Sequence, residues 1–285
     1  MHKQTKLIIG SVGVVVVLVA LVGFVLNRQQ DSAQSQYVQI TTPTLFFHGW
    51  GSSYHAEEHM ANAAKQAGVT DTIIRADVSR QGKVTLVGQI PANAKNPIVE
   101  VNYADNRNTH YHTDGRWMRN VLVALQAKYH ITKFNVVGHS MGNMAIAFYL
   151  LDNAGNNKLP KLQKQVDIAG HYNGILGIND KPNQMKLRKS GQPTVMDADY
   201  QELLGLRQKY PWKQVDVLNI YGDKDDGTHS DGDVSNASSK SLRYLIADRA
   251  KSYREKKIVG PDAQHSKLHE NPEVDRLLIN FIWQN

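Results

Sequence analysis

The chain contains no cysteine among its 285 residues. It therefore offers no disulfide bond, no thiolate nucleophile and no sulfur ligand for a metal ion. Internal repeats, a glycine-rich phosphate-binding loop and a recognisable nucleic-acid-binding module are also missing from the sequence. These absences exclude cysteine-dependent chemistry and leave no motif that favours nucleotides or nucleic acid as partners.

Acidic residues are in the minority, with 26 Asp and Glu against 33 Lys and Arg and a formal net charge of +7. Without Lys3 and Lys6, which precede an apolar run, 31 basic residues stand against 26 acidic ones, a net charge of +5. An excess of this size is typical of an ordinary solvated surface. Attraction to anionic envelope polymers or lipid headgroups is the alternative interpretation.

Long hydrophobic runs are missing too, except near the N-terminus, where residues 7–26 (LIIGSVGVVVVLVALVGFVL) are uncharged and mostly apolar. As a helix this run is ~30 Å long, which matches the hydrocarbon core of a bilayer. Lys3 and Lys6 precede the run and Arg28 follows it. This bias predicts a single-pass anchor with residues 1–6 in the cytoplasm and the rest of the chain outside. A cleaved signal peptide is the alternative, although its apolar stretch is normally ~7–15 residues.

Residues 27–41 are mostly polar and predict a flexible tether. Residues 42–285 suit a single α/β domain, in which alternating strand and helix patterns indicate a mainly parallel sheet with helices on both faces. Val69–Ile90 instead predicts two antiparallel strands joined by a turn. The predicted strands are 44–47, 72–78, 84–90, 98–103, 134–137, 165–169 and 215–221. The predicted helices are 56–67, 117–129, 144–151, 198–209, 238–247 and 274–283.

The most informative motif is Gly-His-Ser-Met-Gly at 138–142, which follows the β-prone run 133–137 and precedes a series of helix formers. This is the strand–turn–helix context of a nucleophile elbow. Such a serine sits at a sharp, strained turn, and Gly138 and Gly142 remove side chains that would collide there. The motif therefore predicts Ser140 as a nucleophile.

An apolar strand at 44–47 ends in His-Gly-Trp-Gly at 48–51. Together with the elbow, this segment resembles bacterial lipases and esterases of the α/β-hydrolase fold. That resemblance implies an oxyanion hole formed by the backbone N–H groups of Trp50 and Met141. It also implies that His48 shapes the loop and is not the catalytic base.

The orienting acid is expected after a late strand, in the chain order Ser, Asp, His. Residues 214–222 predict that strand, and residues 223–235 form a loop that contains five aspartates. Within it, Ser-Asp-Gly-Asp-Val-Ser resembles the Asn-Asp-Gly-x-Val-Ser segment of bacterial lipases, which implies Asp231 as the acid. Asp225 and Asp226 remain the alternatives. The charged Asp233 departs from the lipase pattern, which usually has an apolar residue there.

The base is expected near the C-terminus, where His265 and His269 are both candidates. A leucine lies three residues after His265 and a valine nine residues after it, and a predicted terminal helix follows. This spacing is similar to the end of the lipases and implies His265 as the base, with His269 as the alternative. The remaining candidates do not fit the chain order and are interpreted as polar loop residues; they are His110, His112 and His229.

Four segments together resemble one family, the uncharacterised α/β hydrolases of Gram-positive bacterial surface proteins (domain of unknown function 915). They are Phe-Phe-His-Gly-Trp-Gly-Ser-Ser at 46–53, Gly-His-Ser-Met-Gly-Asn at 138–143, the Tyr-Gly-Asp and Ser-Asp-Gly-x-Val-Ser run at 221–239 and His-Ser-Lys-Leu-His-Glu-Asn at 265–271. The resemblance extends from about Thr42 to the C-terminus. It implies the fold and the triad and brings no known substrate.

Two patterns suggest metals. His55 and His59 fall in a His-x-x-Glu-His sequence, a pattern that some zinc peptidases use, although solvated residues on a helix face are the expected interpretation. The loop at 223–227 is one residue short of a calcium-binding pattern, and Val234 at the twelfth position excludes an EF-hand. A lipase-like structural calcium is the remaining alternative. No cofactor and no catalytic metal are predicted.

The sequence thus predicts a membrane-anchored serine hydrolase that cleaves carboxylic esters outside the cell, with Ser140, His265 and Asp231 as its triad. The expected substrate is a small-molecule or lipid ester, and residues 171–211 are the candidate lid. The alternative function is a surface binding or scaffold protein that keeps the fold and hydrolyses little. Nothing in the sequence indicates an oligomeric state.

Overall fold

A twisted sheet of eight strands forms the centre of the protein in a computed structural model, which describes residues 19, 22–23 and 36–284. In chain order the strands of this described part are β1 (Thr44–Phe47), β2 (Ile73–Val78), β3 (Val84–Val87), β4 (Ile98–Tyr103), β5 (Lys133–His139), β6 (Lys161–Ile168), β7 (Asp216–Asp223) and β8 (Ser252–Val259). Their order across the sheet is β3-β2-β4-β1-β5-β6-β7-β8. Only β2 and β3 are antiparallel, so the predicted mainly parallel sheet with an antiparallel start is confirmed.

The helices that accompany these strands are α1 (His55–Gln66), α2 (Tyr111–Tyr129), α3 (Met141–Asn153), α4 (Ala198–Leu203), α5 (Leu206–Lys209), α6 (Asn236–Lys240), α7 (Leu242–Ile246) and α8 (Pro272–Trp283). Two short 3₁₀ helices, Pro261–Ala263 and His265–Glu270, lie between β8 and α8. The predicted helices therefore exist, although the single helix expected at 198–209 is two short helices, as is the one at 238–247.

Helices cover both faces of the sheet, as predicted. Successive residues of a strand point to opposite sides, so a strand with apolar residues at successive positions has two apolar faces to bury. On β5, Val136 belongs to the hydrophobic cluster under α2 and α3, whereas Val137 belongs to the cluster under α1 and α8. Each cluster is continuous across several strands. The sheet is thereby buried on both sides in its middle, and the carboxyl ends of its central strands are held in fixed relative positions.

Strand β8 was not expected from the sequence. Its eight residues, SYREKKIV, include four charged side chains and show no apolar alternation. The strand forms because it pairs with β7 along its whole length at the edge of the sheet, where only Ile258 is buried. Backbone pairing to a neighbour therefore replaces the apolar signal that a central strand would carry.

Helix α2 begins six residues earlier than the predicted helix at 117–129. Its first turns include Gly115, which interrupts the apolar pattern. A side chain at this position would lie 2.7 Å from the backbone nitrogen of Tyr149 on α3. Gly115 is thus the point where two helices approach closely, and a packing requirement outweighs its low helix propensity.

The predicted anchor at 7–26 lies outside the described residues, apart from positions 19, 22 and 23. Among the residues that the structure describes, no helix is both long enough and apolar enough to cross a membrane. The last residues of the predicted tether contact the domain: Tyr37 is buried and pairs with Gln284, and Val38 N–H donates to the carbonyl oxygen of Trp283.

Candidate active site

Ser140 occupies the turn between β5 and α3, with φ of 52° and ψ of −119°. This positive φ is rare for a residue with a side chain and is a strained conformation. The glycines on either side are required by close packing. A side chain at Gly138 would lie 2.5 Å from Asn143 Oδ1, and one at Gly142 would overlap the backbone oxygen of Phe47 on β1.

A continuous chain of hydrogen bonds joins three of the predicted site residues. His265 Nε2 lies 2.8 Å from Ser140 Oγ, and His265 Nδ1 lies 2.8 Å from Asp231 Oδ2. A carboxylate only accepts hydrogen bonds, so Nδ1–H donates to Asp231 and Nε2 accepts from the serine hydroxyl. The three residues come from three separate segments, after β5, after β7 and after β8.

Asp231 is buried, and the backbone holds it in place. Its second carboxylate oxygen, Oδ1, accepts hydrogen bonds from the backbone N–H groups of Asp233, at 2.9 Å, and Val234, at 2.7 Å. Gly222, at the end of β7, makes room, since a side chain there would lie 2.9 Å from Asp231 Cβ. The backbone N–H of His265 also donates to the carbonyl oxygen of Asp231. The acid and the base are therefore tied together twice.

The electrostatic surroundings favour the protonated form of His265. Burial by itself would lower the pKa of His265, but the hydrogen bond to Asp231, the charge of Asp231 and the charge of Asp233 together raise this pKa above its usual value. An imidazole in this position removes a proton from a hydroxyl and is stabilised as a cation afterwards.

Three further histidines line the same cavity as His265, and burial is the main reason that the pKa of each is lowered. His139 Nε2–H donates to the carbonyl oxygen of His265 at 3.0 Å, and its ring lies against those of His265 and His269. The pKa of His171 is lowered to about 4. These neighbours are neutral near pH 7, so they can surround His265 without adding positive charge.

The predicted oxyanion loop follows β1 and approaches Ser140 closely. A side chain at Gly49 would lie 3.1 Å from Ser140 Cβ. His48 is buried; its Nδ1–H donates to the carbonyl oxygen of Gly49, and its Nε2 accepts from the backbone N–H of Tyr103. Both of its ring nitrogens are thus engaged in shaping the loop. Trp50, 56% exposed, and Met141, the first residue of α3, line the cavity beside Ser140.

A cavity of about 550 Å³ opens over Ser140 and His265. Its lining includes Met141, Met144, Ile175 and Ile178 as apolar groups. A cavity of this size accommodates a small molecule or part of a larger one. A second cavity of about 730 Å³ lies at the amino ends of the central strands, opposite Ser140. Its lining residues come from 39–43, 90–97 and 128–133 and include none of the predicted site residues.

The alternative acids and bases lie elsewhere or have other partners. Asp226 is exposed, accepts hydrogen bonds from Thr228 and forms an ion pair with Lys224. The carboxylate that contacts His265 is that of Asp231. Asp225 is also exposed. His269 lines the cavity, but the hydrogen bond to Ser140 comes from His265.

The residues of the candidate zinc pattern pair with carboxylates instead of converging. His55 Nδ1 contacts Glu58 Oε2 at 2.7 Å, and His59 Nε2 contacts Asp275 Oδ2 at 2.9 Å on α8. Across the described residues, no three histidine or carboxylate side chains converge in a metal-binding arrangement. In the acidic loop, Asp223 already accepts hydrogen bonds from Lys257 and Asn236.

The candidate lid, 171–211, contributes a substantial part of the cavity wall. Its members there are His171, Gly174, Ile175, Ile178, Asn179, Asp197 and Asp199. The motifs in the sequence did not identify Asn179, Asp197 or Asp199 as site residues. Tyr111, His139 and His171 were not expected at the site either. His171 lies three residues after the end of β6, and Ser140 is the first residue after β5, so both lie beyond the carboxyl ends of the strands. This position was the one sequence signal that could have pointed to His171.

A mainly parallel sheet that presents a serine on a strained strand–helix turn defines the protein as an α/β hydrolase. The chain belongs to the family of α/β hydrolases of unknown function known as DUF915, which matches residues 31–285. The resemblance inferred from the four segments is thereby confirmed. A comparison with curated proteins gave no match.

Solved structures share the same fold. The product of the gene lin2722 of Listeria innocua has a TM-score of 0.77 and 26% identity, covering 85% of this chain and 94% of that protein. A proposed cell surface hydrolase of Lactobacillus plantarum has a TM-score of 0.67 and 21% identity, covering 85% and 89% of the two chains. The second similarity concerns the fold alone.

Proposed function

We propose that the protein is a serine hydrolase that cleaves carboxylic esters through an acyl-enzyme. The observation that carries this proposal is the unbroken hydrogen-bonded chain from Ser140 through His265 to Asp231 at the floor of an open cavity. A serine hydroxyl is a weak nucleophile by itself, and an adjacent base that removes its proton activates it.

In the first half of the reaction, Ser140 Oγ attacks the ester carbonyl carbon while its proton moves to His265 Nε2. The carbonyl oxygen becomes an oxyanion, which the backbone N–H groups of Trp50 and Met141 stabilise. Asp231 keeps the Nδ1–H tautomer of His265 and stabilises the imidazolium that forms. His265 then gives its proton to the departing alcohol, which leaves an acyl group on Ser140.

In the second half, a water molecule takes the place of the alcohol. His265 removes a proton from this water, whose oxygen attacks the acyl carbon. The tetrahedral intermediate collapses, Ser140 recovers its proton from His265, and the carboxylic acid departs. The apolar groups Met141, Met144, Ile175 and Ile178 support an acyl chain or a small organic group as the part of the substrate bound beside the nucleophile.

The proposal includes a location. Residues 7–26 serve as a single-pass membrane anchor, with residues 1–6 in the cytoplasm and the hydrolase domain outside. The uncharged length of the run and the two lysines before it support this arrangement. The substrate is then a small-molecule or lipid ester that reaches the outer face of the membrane.

The test compares the full-length protein in mild detergent with Ser140→Ala. Both are treated with a fluorescent fluorophosphonate, and hydrolysis of p-nitrophenyl esters from acetate to palmitate is measured. The proposal expects labelling and hydrolysis in the wild type and a loss of at least about 10³-fold in kcat for Ser140→Ala. The chain-length optimum separates an esterase from a lipase.

Asp231→Asn and Asp225→Asn form a matched pair that tests the acid. The first is expected to lower kcat by about 10³-fold or more, because an amide at this position no longer fixes the tautomer of His265; the second should leave kcat unchanged. A folded wild-type protein that neither labels nor turns over any ester would refute the proposed reaction. The surface binding or scaffold function would then lead.

A further inference from the structure

We propose that the ester cleaved at Ser140 carries a protonated amine, and that Asp199, with Asp197 beside it, binds this cation inside the cavity. The inference rests on the proposed function and adds the chemical class of its substrate. It assigns a specificity-determining role to a part of the cavity wall that the hydrolytic mechanism does not use.

The charged residues of the cavity are all of one sign, apart from His265 when it is protonated. Asp197, Asp199 and Asp233 line the cavity, and no lysine or arginine is among its described lining residues. This contrasts with the chain as a whole, in which basic residues outnumber acidic ones. A cavity lined by one sign of charge attracts ligands of the opposite sign.

Asp199 has no internal partner for its charge. Its carboxylate forms no hydrogen bond or ion pair with another described residue, although it is half-buried. Burial, followed by the charges of Asp197 and Glu202, raises the pKa of Asp199. A bound cation would relieve the cost of both burial and like-charge repulsion.

Asp197 is held in place by the protein, in contrast to Asp199. Its Oδ1 accepts a hydrogen bond from the backbone N–H of Tyr200 and caps α4, and its Oδ2 accepts from Asn179 Nδ2 at 2.9 Å. The carboxylate is therefore fixed at the edge of the cavity. It adds negative charge near Asp199 without being free to move toward solvent.

An independent observation points to a polar ligand at the same wall. His171 is only 5% exposed and lines the cavity, yet among the described residues its ring has a hydrogen bond only to its own backbone. Because burial keeps this imidazole neutral, it does not repel a cation, and a free ring nitrogen accepts a hydrogen bond from an ammonium group.

Tyr111 connects the histidine with the carboxylates. Its ring centroid lies 6.0 Å from that of His171, and the charges of Asp199, Asp114 and Asp197 contribute, after burial, to raising its pKa. Tyr111 also lines the cavity. Its aromatic face is a further favourable surface for an ammonium group. The site for the cation is thus an aromatic ring, a neutral imidazole and two carboxylates on one wall.

The experiment uses pairs of esters. The two esters of a pair differ in one group only: one ends in an ammonium group and the other in a methyl group. The amine is placed in the acyl part in one arm, with p-nitrophenyl 6-aminohexanoate against p-nitrophenyl heptanoate. It is placed in the alcohol part in the other arm, with 6-aminohexyl acetate against heptyl acetate, followed by acid release. The ratio of kcat/KM for the cationic ester to that for the neutral ester is measured in full-length protein.

We expect Asp199→Asn to lower this ratio by about tenfold or more in one of the two arms, with the change mainly in KM. Asp199→Glu should restore much of the ratio. Asp71→Asn is the matched control, because Asp71 is exposed and lies just before the amino end of β2, whereas the cavity lies at the carboxyl ends of the strands. Raising NaCl from about 50 mM to about 500 mM should lower kcat/KM for the cationic ester more than for the neutral one.

The outcomes separate this inference from the proposed function. Hydrolysis that requires Ser140, with a ratio that Asp199→Asn leaves unchanged in both arms, would overturn the cation site and leave the serine hydrolase intact. Hydrolysis and labelling that persist in Ser140→Ala would overturn both. The arm in which the ratio responds identifies whether the amine belongs to the acyl or the alcohol part.

Discussion

Ser140 holds a backbone conformation that residues with side chains avoid, and its surroundings compensate for that strain. Its backbone N–H donates to the carbonyl oxygen of Ile168, and Asn143 Nδ2 donates to the carbonyl oxygens of both Ser140 and Ile168. The turn is therefore fixed by contacts to the end of β6. Strain of this kind persists only where neighbouring contacts over-determine the conformation.

In the proposed reaction, the pH dependence of hydrolysis follows from His265, which must be neutral to accept the serine proton. Because its pKa is raised above 6.5, kcat/KM should rise with pH through an apparent pKa above that value. Asp233→Asn removes one of the charges that raise this pKa, so the apparent pKa should move to lower pH. The measurement is a pH–rate profile with a neutral ester, and an unchanged midpoint in the variant would contradict the role of Asp233.

Single residues were predictable from the sequence where a motif carried them. The Gly-x-Ser-x-Gly spacing indicated Ser140, and the lipase-like segments indicated His265 and Asp231. Asp199 had no such signal, because a carboxylate in a loop is common in any sequence. His171 had only its position shortly after a predicted strand, which many histidines share. Only the cavity that surrounds them distinguishes these side chains from solvated ones.

At the scale of elements, one histidine links three helices. His112 on α2 contacts Asp152 on α3 at 2.8 Å through Nδ1, and Glu202 on α4 at 2.6 Å through Nε2. Helix α4 also presents Asp199 to the cavity. The link thus connects the segment 171–211 to the body of the fold.

This link should make stability depend on pH. The hydrogen bond to Asp152 is the main cause that raises the pKa of His112, with Glu202 adding to it against the effect of burial. The contribution is therefore fully present below the unfolded pKa of about 6.5 and is lost as pH rises through the folded pKa. Since His112 is 46% exposed, we expect less than about 1 kcal/mol.

The measurement compares thermal unfolding of the wild type and His112→Gln between about pH 5.5 and about pH 9. The wild type should be more stable at the acid end, and the difference should shrink toward the alkaline end. A difference of equal size at every pH would show that the imidazole charge does not stabilise the link.

The close contact between β1 and α3 depends on the glycine at position 142, which has no side chain. Because a Cβ at position 142 would overlap the Phe47 backbone oxygen, Gly142→Ala should lower the free energy of unfolding by about 1–3 kcal/mol or more. Gly155→Ala is the matched control, because a Cβ there meets no atom within 4 Å, and its effect should stay within about 0.5 kcal/mol. Chemical denaturation measures both, and equal stability of the two variants would contradict the steric argument.

At the scale of the whole molecule, the two ends of the domain meet. Tyr37 and Val38 pair with the end of α8, and Asn96 donates through Nδ2 to the carbonyl oxygen of Val38. The domain boundary therefore lies beside the C-terminus, near the edge of the sheet opposite the cavity. In the proposed arrangement, the segment that follows the anchor joins the domain on this side.

The anchor proposal predicts where the protein partitions. Full-length protein should remain with the membrane fraction after washing with high salt and with alkaline carbonate, whereas a chain that begins at residue 28 should be released. Both forms should hydrolyse the same soluble ester, since the cavity lies in the domain. Release of the full-length chain by washing, with its N-terminus intact, would contradict a membrane-spanning run.

Local patterns were sufficient to predict the class of fold and the strained turn at Ser140, because each is carried by contiguous residues: apolar runs, the elbow and its two glycines. The edge strand β8, the close helix contact at Gly115 and the composition of the cavity wall were decided only by the tertiary structure. The reason is physical. Pairing with β7, packing against α3 and the meeting of Tyr111, His171 and Asp199 all depend on residues that are distant in the chain and become neighbours only when the sheet assembles.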